Sequence, residues 1–447
     1  MEAATLARYG QEHLLDGLDE LPADTRERFL ARLAEIDWEE LAHPAEPPPL
    51  EDVAPPEVVT LAEQEERRNE LREAGEDAYR DGRVAVLMVA GGQGTRLGWP
   101  GPKGTFPIGP HSGKTIYALQ AEKVLALSRR VGRDVPLLVL TSPATDEETR
   151  DHLRGHGDFG LAPGQLRVFV QGTVPSVDRD GRALLGEPGV LLENPDGHGG
   201  VFEALLRSGE LERLRRERVE HLVYIQVDNV LAPVDDPRLV GLAALEGTDV
   251  VTKVLEKASP DEKVGHLVRA GGRDRIVEYT ELTPEDTRAR TAEGELIYRW
   301  GSPALHAWSV DFLTRLADRG YKPPLHRSAK PLRAWIEGAV RDVDGWKHER
   351  FVFDLVPEAE TSLGIEIDRE AEFAPVKNAD GADSPGTSVE LASRQYASWL
   401  EAAGVRVDLP PGALIEISPL YAATREQFLA TWDDRLDEVT GDLYLER

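Results

Sequence analysis

The feature that most constrains the fold is the run from Val84 to Gly104, where an apolar segment leads directly into glycines. Residues 84–90 are apolar and rich in valine, with the length and composition of a buried parallel strand. Gly91, Gly92 and Gly94 follow, and glycine permits backbone conformations and a close approach to a ligand that side chains prevent. A strand, a glycine-rich loop and then a helix is the layout of a phosphate-binding turn. The sequence therefore predicts an anion site at the end of this strand.

Two cations in the same run strengthen this prediction. Arg96 offers a planar fork for phosphate oxygens, and Lys103 adds a compact positive charge seven residues later. The spacing does not match a P-loop, and Leu97 occupies the position of the third glycine of a dinucleotide-binding motif. A glycine-rich turn without a ligand is the alternative interpretation. We favour the anion site because the chain has 52 Lys and Arg against 81 Asp and Glu. In such an acidic chain, a local pair of cations indicates an anionic ligand.

Composition restricts the class of protein. The formal net charge of -29 disfavours binding to nucleic acid or to anionic membranes through a general surface field. The absence of cysteine excludes disulfide bonds, thiolate metal sites and a cysteine nucleophile. The N-terminus has no basic start followed by a long apolar segment, and no run approaches the ~18 apolar residues of a membrane span. We therefore expect a soluble cytoplasmic protein without nucleic-acid or membrane partners.

At 447 residues the chain exceeds the ~100–200 residues of a usual domain, which predicts a main domain with smaller additions. The N-terminal part shows helical spacing after a cap at Asp24, then a Pro-rich connector from Pro44 to Pro56 and a charged helix over about 58–80. The predicted regions are an N-terminal helical region 1–82, a main domain 83–382 and a small C-terminal domain 383–447.

The main domain alternates strand patterns with helix patterns, which favours an α/β fold with a mostly parallel, twisted sheet flanked by helices. We predict strands at 84–90, 136–141, 166–170, 221–227, 250–255, 264–269, 275–279 and 361–367, and helices at 114–130, 146–154, 201–215 and 391–403. Gly271 and Gly272 lie between two of these strands and predict a hairpin turn.

Polar side chains follow two of the predicted strands. Gln171 follows the strand at 166–170, and Asp228 follows the strand at 221–227. Ligands of open α/β sheets bind at the carboxyl ends of the strands. An Asp there is placed to hold Mg²⁺, which prefers carboxylate oxygen and keeps several waters, whereas a turn or N-cap Asp is an alternative about equally common. For Gln171 the alternative is a loop amide that caps backbone groups.

Residues 91–98 (GGQGTRLG), followed by residues 102–104 (PKG), resemble the signature loop of the eukaryotic-type UDP-sugar pyrophosphorylases, most closely the UDP-N-acetylglucosamine pyrophosphorylases. The short distance from Arg96 to Lys103 distinguishes the loop from that of the glucose-1-phosphate thymidylyltransferase type. Further matches follow in the order of the family, namely Gln171-Gly172, Pro195–Gly200, Val227–Asn229, Val277–Tyr279, Phe351–Asp354 and Phe373–Ala379.

The resemblance implies a Rossmann-like nucleotidyltransferase fold, with residues 83–382 as its catalytic domain. It implies an enzyme that makes a UDP-sugar and pyrophosphate from UTP and a hexose-1-phosphate, with Mg²⁺ as cofactor and Asp228 as metal ligand. The positions that it assigns are Arg96, Lys103 and Lys377 for catalysis, Gly91, Gly92, Gly94, Thr95, Gln171 and Gly197 for the nucleotide, and His198, Glu278, Tyr279 and Ser302 for the sugar. In the family, the position of Gln171 contacts the uracil base.

Two positions depart from the N-acetylglucosamine enzymes, and both concern the sugar. His198 stands where those enzymes usually carry Asn, and Ser302 stands where they carry the Asn that contacts the N-acetyl group. The motif set favours N-acetylglucosamine-1-phosphate as the acceptor, whereas these two residues favour glucose-1-phosphate or a broad range of sugars.

Two hypotheses from other classes stay open at this point. One is a catalytically silent protein that only senses nucleotide sugars, and the joint presence of Arg96, Lys103, Asp228 and Lys377 argues against it. The other, weaker one is a dinucleotide-dependent dehydrogenase.

Overall fold

The structure, a computed structural model, describes residues 3–44, 49–433 and 435–446. The chain forms two compact units, and each unit is built from three separate segments of the sequence. Their segments are Met1–Pro49, Gln171–Ala204 and Lys322–Leu355 for the first unit, and Leu50–Val170, Leu205–Tyr321 and Val356–Arg447 for the second. Residues 45–48 of the predicted Pro-rich connector lie outside the described residues, as do residues 1–2, 434 and 447 of the predicted terminal regions. None of the helices in the described ranges combines the length and the apolar character that crossing a bilayer requires.

The helices of the described residues are numbered in chain order. They are α1 Ala3–Arg8, α2 Ala23–Glu35, α3 Trp38–Ala42, α4 Leu61–Glu66, α5 Arg68–Arg80, α6 Ile116–Val131, α7 Asp146–Gly155, α8 Val201–Arg207, α9 Glu210–Arg216, α10 Pro237–Glu246, α11 Val310–Asp318, α12 Arg369–Glu372, α13 Pro385–Ala402 and α14 Arg425–Thr431.

The strands are numbered in the same way. They are β1 Val58–Val59, β2 Val84–Val89, β3 Leu137–Thr141, β4 Leu166–Val170, β5 Thr173–Pro175, β6 Val177–Asp178, β7 Leu185–Glu187, β8 Val190–Leu191, β9 Glu193–Pro195, β10 His221–Gln226, β11 Val250–Glu256, β12 Gly265–Ala270, β13 Arg273–Val277, β14 Trp300–Ser302, β15 His306–Ser309, β16 His326–Ile336, β17 Ala339–Glu349, β18 Ser362–Glu366, β19 Arg406–Val407, β20 Ile415–Ile417, β21 Glu438–Val439 and β22 Leu443–Leu445.

The second unit is built on an 11-stranded mixed sheet with the main order β13-β12-β14-β11-β15-β10-β2-β3-β4. Strand β18 pairs with β11, and β1 pairs with β18. Strands β10, β2, β3 and β4 are mutually parallel, with Val86 opposite Val223 on one side and Leu137 on the other. Because these strands are parallel, their carboxyl ends lie at one edge of the sheet.

Helices cover the middle of this sheet, which is why its strands are apolar along their whole length. Residues 84–88 of β2 are all buried, as are all residues of β3. A parallel strand that is covered on both faces carries apolar side chains at every position instead of alternating ones. Leu71 of α5, Val124 of α6 and Leu239 of α10 belong to the same buried cluster as these strands.

The structure confirms the predicted parallel strands and the predicted hairpin. The predictions at 84–90, 136–141, 166–170 and 221–227 correspond to β2, β3, β4 and β10 within one residue at each end. In the hairpin, Ala270 lies opposite Arg273, and Gly271 and Gly272 between them have φ of +56° and +79°. A two-residue turn with positive φ at both central positions is one that glycine adopts without strain.

The helix predicted over 201–215 is wrong as a single element. It is two helices, α8 and α9, and Gly209 between them has φ of +76°. A left-handed residue cannot continue a right-handed helix, so the chain changes direction there.

Two details of the N-terminal part are also corrected. The helix predicted over 58–80 begins only at Leu61, because Val58 and Val59 form β1 against β18 and Thr60 caps α4. It is then interrupted at Arg67 before α5. The cap predicted at Asp24 falls inside α2, whose N-cap position is Pro22.

The first unit has an apolar core of its own. Its buried side chains come from the N-terminal helices and from the short strands, and include Leu6, Phe29, Leu33, Trp38, Val177 and Leu191. A five-stranded sheet with the order β6-β17-β16-β7-β8 contains the long hairpin of β16 and β17. The buried Arg350, directly after β17, binds both carboxylate oxygens of Glu40 and so fixes the N-terminal helices to this sheet.

The C-terminal segment 385–446 belongs to the second unit and has a separate apolar cluster around Trp399, Ile415 and Phe428. The buried carboxylate of Glu416 accepts hydrogen bonds from the backbone N–H groups of His111 and Ser112, at 2.8 and 2.9 Å. This contact fixes the segment to the loop that follows Lys103.

Candidate active site

The glycine loop after β2 is a closed turn in the second unit. The Gly94 N–H donates to the Gly101 carbonyl at 2.9 Å, and the Lys103 N–H donates to the Gly92 carbonyl at 3.0 Å. These two hydrogen bonds join the start of the loop to its end. The predicted cation Lys103 is therefore held beside the first glycines of the loop, although it is distant from them in sequence.

Two neighbours fix the conformation of this loop. A Cβ added at Gly94 would lie 2.7 Å from the Cβ of Trp99, a distance that real Cβ atoms do not adopt, so only glycine fits there. The hydroxyl of Ser142, which directly follows β3, donates to the Gly91 carbonyl at 2.8 Å. The loop is thus attached to the next parallel strand at the carboxyl edge of the sheet.

Thr95 and Arg96 lie at the exposed surface of the loop. Both belong to a single turn of 3-10 helix, Thr95–Leu97. Within the described part of the chain, the guanidinium of Arg96 makes no hydrogen bond or ion pair. Arg130 on α6 is the contrasting case, because it binds the carboxylates of Glu76 and Asp235. An arginine without an internal acid is available to an external anion.

Lys103 and Asp228 form an ion pair across the sheet edge. The Nζ of Lys103 donates to Oδ2 of Asp228 at 2.8 Å, although the two residues are 125 positions apart in sequence. Their side chains are only 17% and 12% exposed. Asp228 comes shortly after β10 and Lys103 ends the loop after β2, so the adjacent parallel strands bring them together.

Lys377 is placed next to Asp228 by backbone pairing. The N–H of Val376 donates to the carbonyl of Asp228 at 2.9 Å, and Lys377 is the following residue. The Nζ of Lys377 lies 3.9 Å from a carboxylate oxygen of Asp383 and 5.7 Å from the ring centre of Phe373. Its side chain remains 44% exposed. The structure therefore brings the segments carrying Lys103, Asp228 and Lys377 to one place, as the sequence predicts.

Glu278, Tyr279 and Ser302 form a second group in the same sheet. Ser302 of β14 lies opposite Gly265 of β12, and a Cβ added at Gly265 would lie 3.3 Å from Oε1 of Glu278. Tyr279 follows Glu278 and is 40% exposed. In the order of the sheet, β11 and β15 separate β14 from β10. Glu278 and Ser302 are thus both close to Gly265, in a different part of the sheet from Lys103.

The donor set for a metal is a single carboxylate. Within the described ranges, no group of three or more His, Cys, Asp or Glu residues is placed to hold a metal ion. With Asp228 as its one protein ligand, a Mg²⁺ ion would take most of its oxygen ligands from water and from substrate phosphates. The residues present therefore fit an ion that arrives with a polyphosphate, and do not form a complete metal cage.

Gly197 lies in a glycine-rich turn of the first unit. Gly197 has φ of +82°, and an added Cβ would lie 2.5 Å from the carbonyl oxygen of Arg350. The next glycine, Gly199, is equally restricted, because a Cβ there would lie 2.5 Å from the backbone of Phe351. Glycine is therefore required at both positions by the backbone that packs against the turn.

His198 in this turn is held as a neutral hydrogen-bond donor. Its Nδ1 accepts from the N–H of Val352 at 3.1 Å, and its ring packs against Phe351 and Phe353. Burial lowers the pKa of His198 to about 4. A neutral imidazole that accepts at Nδ1 carries its proton on Nε2. His198 can therefore donate one hydrogen bond, as the family's Asn at this position also can.

Gln171 directly follows β4, as predicted, and is grouped with the first unit. It is 5% exposed, and its side-chain amide makes no hydrogen bond to the residues that the structure describes. The alternative of a loop amide that caps backbone groups is therefore not what the structure shows. Its predicted contact with uracil stays a prediction.

The sequence did not single out three polar residues near Asp228. In the sequence, Asn229 is only one residue of a family match, whereas in the structure its buried amide joins two distant segments. Lys253 in β11 is buried, and Lys123 in α6 is half-buried. A lone lysine inside the apolar run 250–255 was an available signal for Lys253.

Acid is expected to destabilise this protein through histidines that are neutral when folded. Burial lowers the pKa of His198, His221 and His266 to about 4 from 6.5. Between these pH values the unfolded chain binds more protons than the folded chain. The free energy of unfolding therefore falls as the pH falls through this window, by at most ~1.4 kcal/mol per pH unit for each histidine. Urea unfolding at a series of pH values measures the slope.

His221 provides a clean test because it is buried, lies outside the candidate site and, unlike His266, does not contact a lysine among the described residues. His221→Asn is expected to make the slope between pH 6.5 and about 4 shallower than in the wild type. His43→Asn is the matched control, since the side chain of His43 is 73% exposed. An unchanged slope in His221→Asn would contradict a neutral, buried His221.

Comparisons with known proteins identify the family of the chain. The family model described as UTP–glucose-1-phosphate uridylyltransferase matches residues 24–297. UDP-N-acetylglucosamine diphosphorylase 2 of Arabidopsis thaliana is 35% identical over 93% of this chain and 86% of the relative. UDP-N-acetylhexosamine pyrophosphorylase-like protein 1 of Homo sapiens is 36% identical over 95% of this chain and 92% of the relative.

Solved structures give the same result. The uridine diphosphate N-acetylglucosamine pyrophosphorylase of Trypanosoma brucei, solved with an inhibitor, superposes with a TM-score of 0.81 and 27% identity, over 99% of this chain and 97% of that one. The sequence matches cover nearly the whole of this chain and most of each relative. With a family model matching residues 24–297 and relatives about 35% identical over most of its length, the chain belongs to the UDP-sugar pyrophosphorylase family.

Proposed function

We propose that this protein is a UTP:sugar-1-phosphate uridylyltransferase that makes UDP-N-acetylglucosamine and pyrophosphate from UTP and N-acetylglucosamine-1-phosphate. The observation that carries the proposal is the meeting of Lys103, Asp228 and the segment of Lys377 at one sheet edge. In a chain with a net charge of -29, such a concentration of cations around one carboxylate matches a polyanionic substrate. The names of the relatives support the choice of sugar.

The reaction joins two anions, so its main requirement is the neutralisation of charge. An oxygen of the sugar phosphate attacks the α-phosphorus of UTP in line, the bond from that phosphorus to the β-phosphate oxygen breaks, and pyrophosphate leaves. The sugar phosphate is already an anionic nucleophile at neutral pH, and a general base is not needed. Positioning and electrostatic stabilisation therefore supply most of the rate enhancement.

Each cation of the site has a separate task in this proposal. The exposed guanidinium of Arg96 binds oxygens of the triphosphate, and Lys103, at the end of the same loop, neutralises the departing pyrophosphate. Lys377 holds the sugar phosphate, because its half-exposed Nζ has only a distant carboxylate partner at 3.9 Å. Gly91, Gly92 and Gly94 let the backbone N–H groups of the loop approach the phosphates.

Asp228 is the proposed Mg²⁺ ligand. When bound, the ion supplies Lewis-acid charge neutralisation at phosphate oxygens. The structural support is the partly buried carboxylate of Asp228 beside the loop. Because that carboxylate already binds Lys103, its second function as a metal ligand requires the ion pair to loosen or to be shared.

The recognition of base and sugar is proposed residue by residue. Gln171 pairs with uracil through its amide, and Gly197 lies against the uridine. His198 donates from Nε2 to the sugar side, and Glu278 and Tyr279 contact sugar hydroxyls. We also infer that the mixed sheet is a Rossmann-like nucleotidyltransferase core and that residues 383–447 form a small C-terminal domain.

The alternative proposal concerns the acceptor alone. His198 and Ser302 replace the Asn residues that the family resemblance predicts for the N-acetylglucosamine enzymes. Ser302 offers a short hydroxyl, which already accepts from the N–H of Ala304 at 3.3 Å. The alternative is thus a UTP:glucose-1-phosphate uridylyltransferase or a broad-specificity UDP-sugar pyrophosphorylase.

Pyrophosphate release from UTP with each sugar phosphate tests the proposal. We expect kcat/KM to be at least ~10-fold higher with N-acetylglucosamine-1-phosphate than with glucose-1-phosphate, since unpaired polar groups in a hydrogen-bonding site discriminate at this level or above. The double variant His198→Asn, Ser302→Asn is expected to raise this ratio further.

The other outcomes are equally informative. Faster turnover of glucose-1-phosphate would overturn the choice of sugar and favour the alternative. Binding of UTP without turnover of either sugar phosphate would favour a nucleotide-sugar sensor. Binding of NAD or NADP in place of UTP would favour the dehydrogenase.

A further inference from the structure

The segments that carry Asp228 and Lys377 are joined by the side chain of Asn229. The Nδ2 of Asn229 donates to the carbonyl of Glu372 at 2.8 Å, and its Oδ1 accepts from the N–H of Ala374 at 2.9 Å. The backbone of Asn229 also pairs with Pro375. We call these contacts of Asn229 with residues 372–375 the Asn229 clasp. The clasp is buried, since Asn229 is 2% exposed.

Only a side chain with a donor and an acceptor on one carbon can make both contacts. Asp has the same shape but would place a second oxygen against the carbonyl of Glu372. Ser is too short to reach both backbone groups at once. Neither substitution can therefore satisfy the two buried backbone groups that the amide of Asn229 serves.

One end of the clasp is anchored to the middle of the sheet. The carboxylate of Glu372 accepts a short hydrogen bond from the Nζ of Lys253, which lies in β11. Lys253 is buried and also pairs with Asp236 at the start of α10. Residue 372 is thereby fixed to two elements of the second unit at the point where the clasp begins.

The other end of the clasp is anchored to α6. The amide of Gln120 donates to the carbonyl of Asn229 at 3.0 Å. The Nζ of Lys123 donates to the carbonyls of Val230 and Ala232, at 2.7 and 2.9 Å. Asn229 is thus held through its own backbone while its side chain holds the segment that leads to Lys377.

We propose that Asn229 is a positioning residue, which sets the place of Lys377 relative to Asp228 and Lys103. The proposal rests on the proposed function, because it concerns the same site. Asn229 touches no reacting atom and acts through the backbone of residues 372–376. Loosening the clasp displaces Lys377 while Lys103 and Asp228 stay in place. The chemical step is therefore slowed more than the binding of UTP is weakened.

The test is Asn229→Asp, measured in the full chain with UTP and N-acetylglucosamine-1-phosphate. We expect kcat to fall by ~10- to 100-fold, because a displacement of about 1 Å in a reacting group has an effect of this size. We expect KM for UTP to change by less than ~3-fold. Asn69→Asp makes the same chemical change at an exposed position on α5 and is expected to leave both constants unchanged.

Hydrogen exchange gives a readout that does not depend on activity. The amides of Ala374 and Val376 are hydrogen-bonded to Asn229 and Asp228, so we expect both to exchange faster in Asn229→Asp than in the wild type. If the wild type has no turnover, the proposed function fails, and the exchange data still decide whether the clasp exists. Asn229→Ser, which buries no extra charge, replaces Asn229→Asp if that variant does not fold.

Three results would overturn the proposal. One is an unchanged kcat in a variant whose Ala374 and Val376 amides exchange faster, because Lys377 would then not depend on the clasp. The second is a lower kcat with unchanged exchange at these two amides, because Asn229 would then act by another route. The third is a fall in kcat together with general unfolding in both variants, because the role of Asn229 would then be in overall stability and not in local positioning.

Discussion

Lys377→Ala is expected to lower kcat by ~10²- to 10³-fold while the protein keeps its stability. Removal of one preorganised charge that stabilises the transition state has an effect of this size. The side chain of Lys377 is 44% exposed and its nearest acid, Asp383, lies at 3.9 Å, so its loss removes little packing. The free energy of unfolding should change by less than ~0.5 kcal/mol, as for other exposed positions. Steady-state kinetics and urea unfolding of the same preparation measure the two quantities.

Lys263→Ala is the matched control, because Lys263 is an exposed lysine of the same unit that lies outside the site. It should leave both kcat and stability unchanged. Lys377→Arg should retain part of the activity, since it keeps the charge but changes the geometry of the contact. Full activity of Lys377→Ala with N-acetylglucosamine-1-phosphate would remove Lys377 from the mechanism.

Lys103→Met is expected to lower kcat by about as much as Lys377→Ala does. Unlike Lys377→Ala, it is also expected to lower the stability of the protein. Lys103 and Asp228 are 17% and 12% exposed, so removal of the lysine leaves a largely buried carboxylate without its partner. We expect the free energy of unfolding to fall by about 1–3 kcal/mol. Mg²⁺ with UTP should recover part of this stability if the carboxylate of Asp228 binds the ion.

The double variant Lys103→Met, Asp228→Asn separates the two roles of Lys103. Without the carboxylate no charge is left unpaired, so stability should return towards the wild-type value while activity stays low. Recovery of turnover in the double variant would show that Lys103 acts only as the partner of Asp228. Lys114→Met is a control for burial. The Nζ of Lys114 lies 3.0 Å from a carboxylate oxygen of Glu122, outside the candidate site. This variant should lose stability without losing turnover.

The sequence predicts the centre of the fold well because local pattern and burial agree there. In β2 and β3 every position faces a helix or a neighbouring strand, so an uninterrupted apolar run is both the cause and the signal of the strand. The hairpin at Gly271 and Gly272 is equally local, since its turn requires positive φ at two adjacent residues.

The errors occur where a distant partner or a single residue decides the structure. Val58 and Val59 fit a helical pattern, but pairing with β18, about 300 residues later in the sequence, makes them a strand. The break between α8 and α9 depends on Gly209, and glycine inside a helical pattern is tolerated often enough that its presence alone does not predict a break.

In the candidate site, too, the sequence predicts some features and misses others. The residue types Arg96, Lys103, Asp228 and Lys377 follow from the motifs and the family resemblance, and the parallel strands explain why Lys103 and Asp228 meet. The ion pair between them and the Asn229 clasp were not predicted. Both contacts join residues more than 120 positions apart, at 125 and 145 residues, and no local pattern encodes such a pairing.

The late position of the clasp partner in the chain also affects synthesis on the ribosome. Translation proceeds from the N-terminus, and domains begin to fold as they emerge. The strands that place Lys103 beside Asp228 are complete about 150 residues before Lys377 is made. A nascent chain therefore contains Lys103 and Asp228 well before Lys377 is made. Under the proposed function, chains that stop before residue 372 would lack Lys377 and have no catalytic turnover.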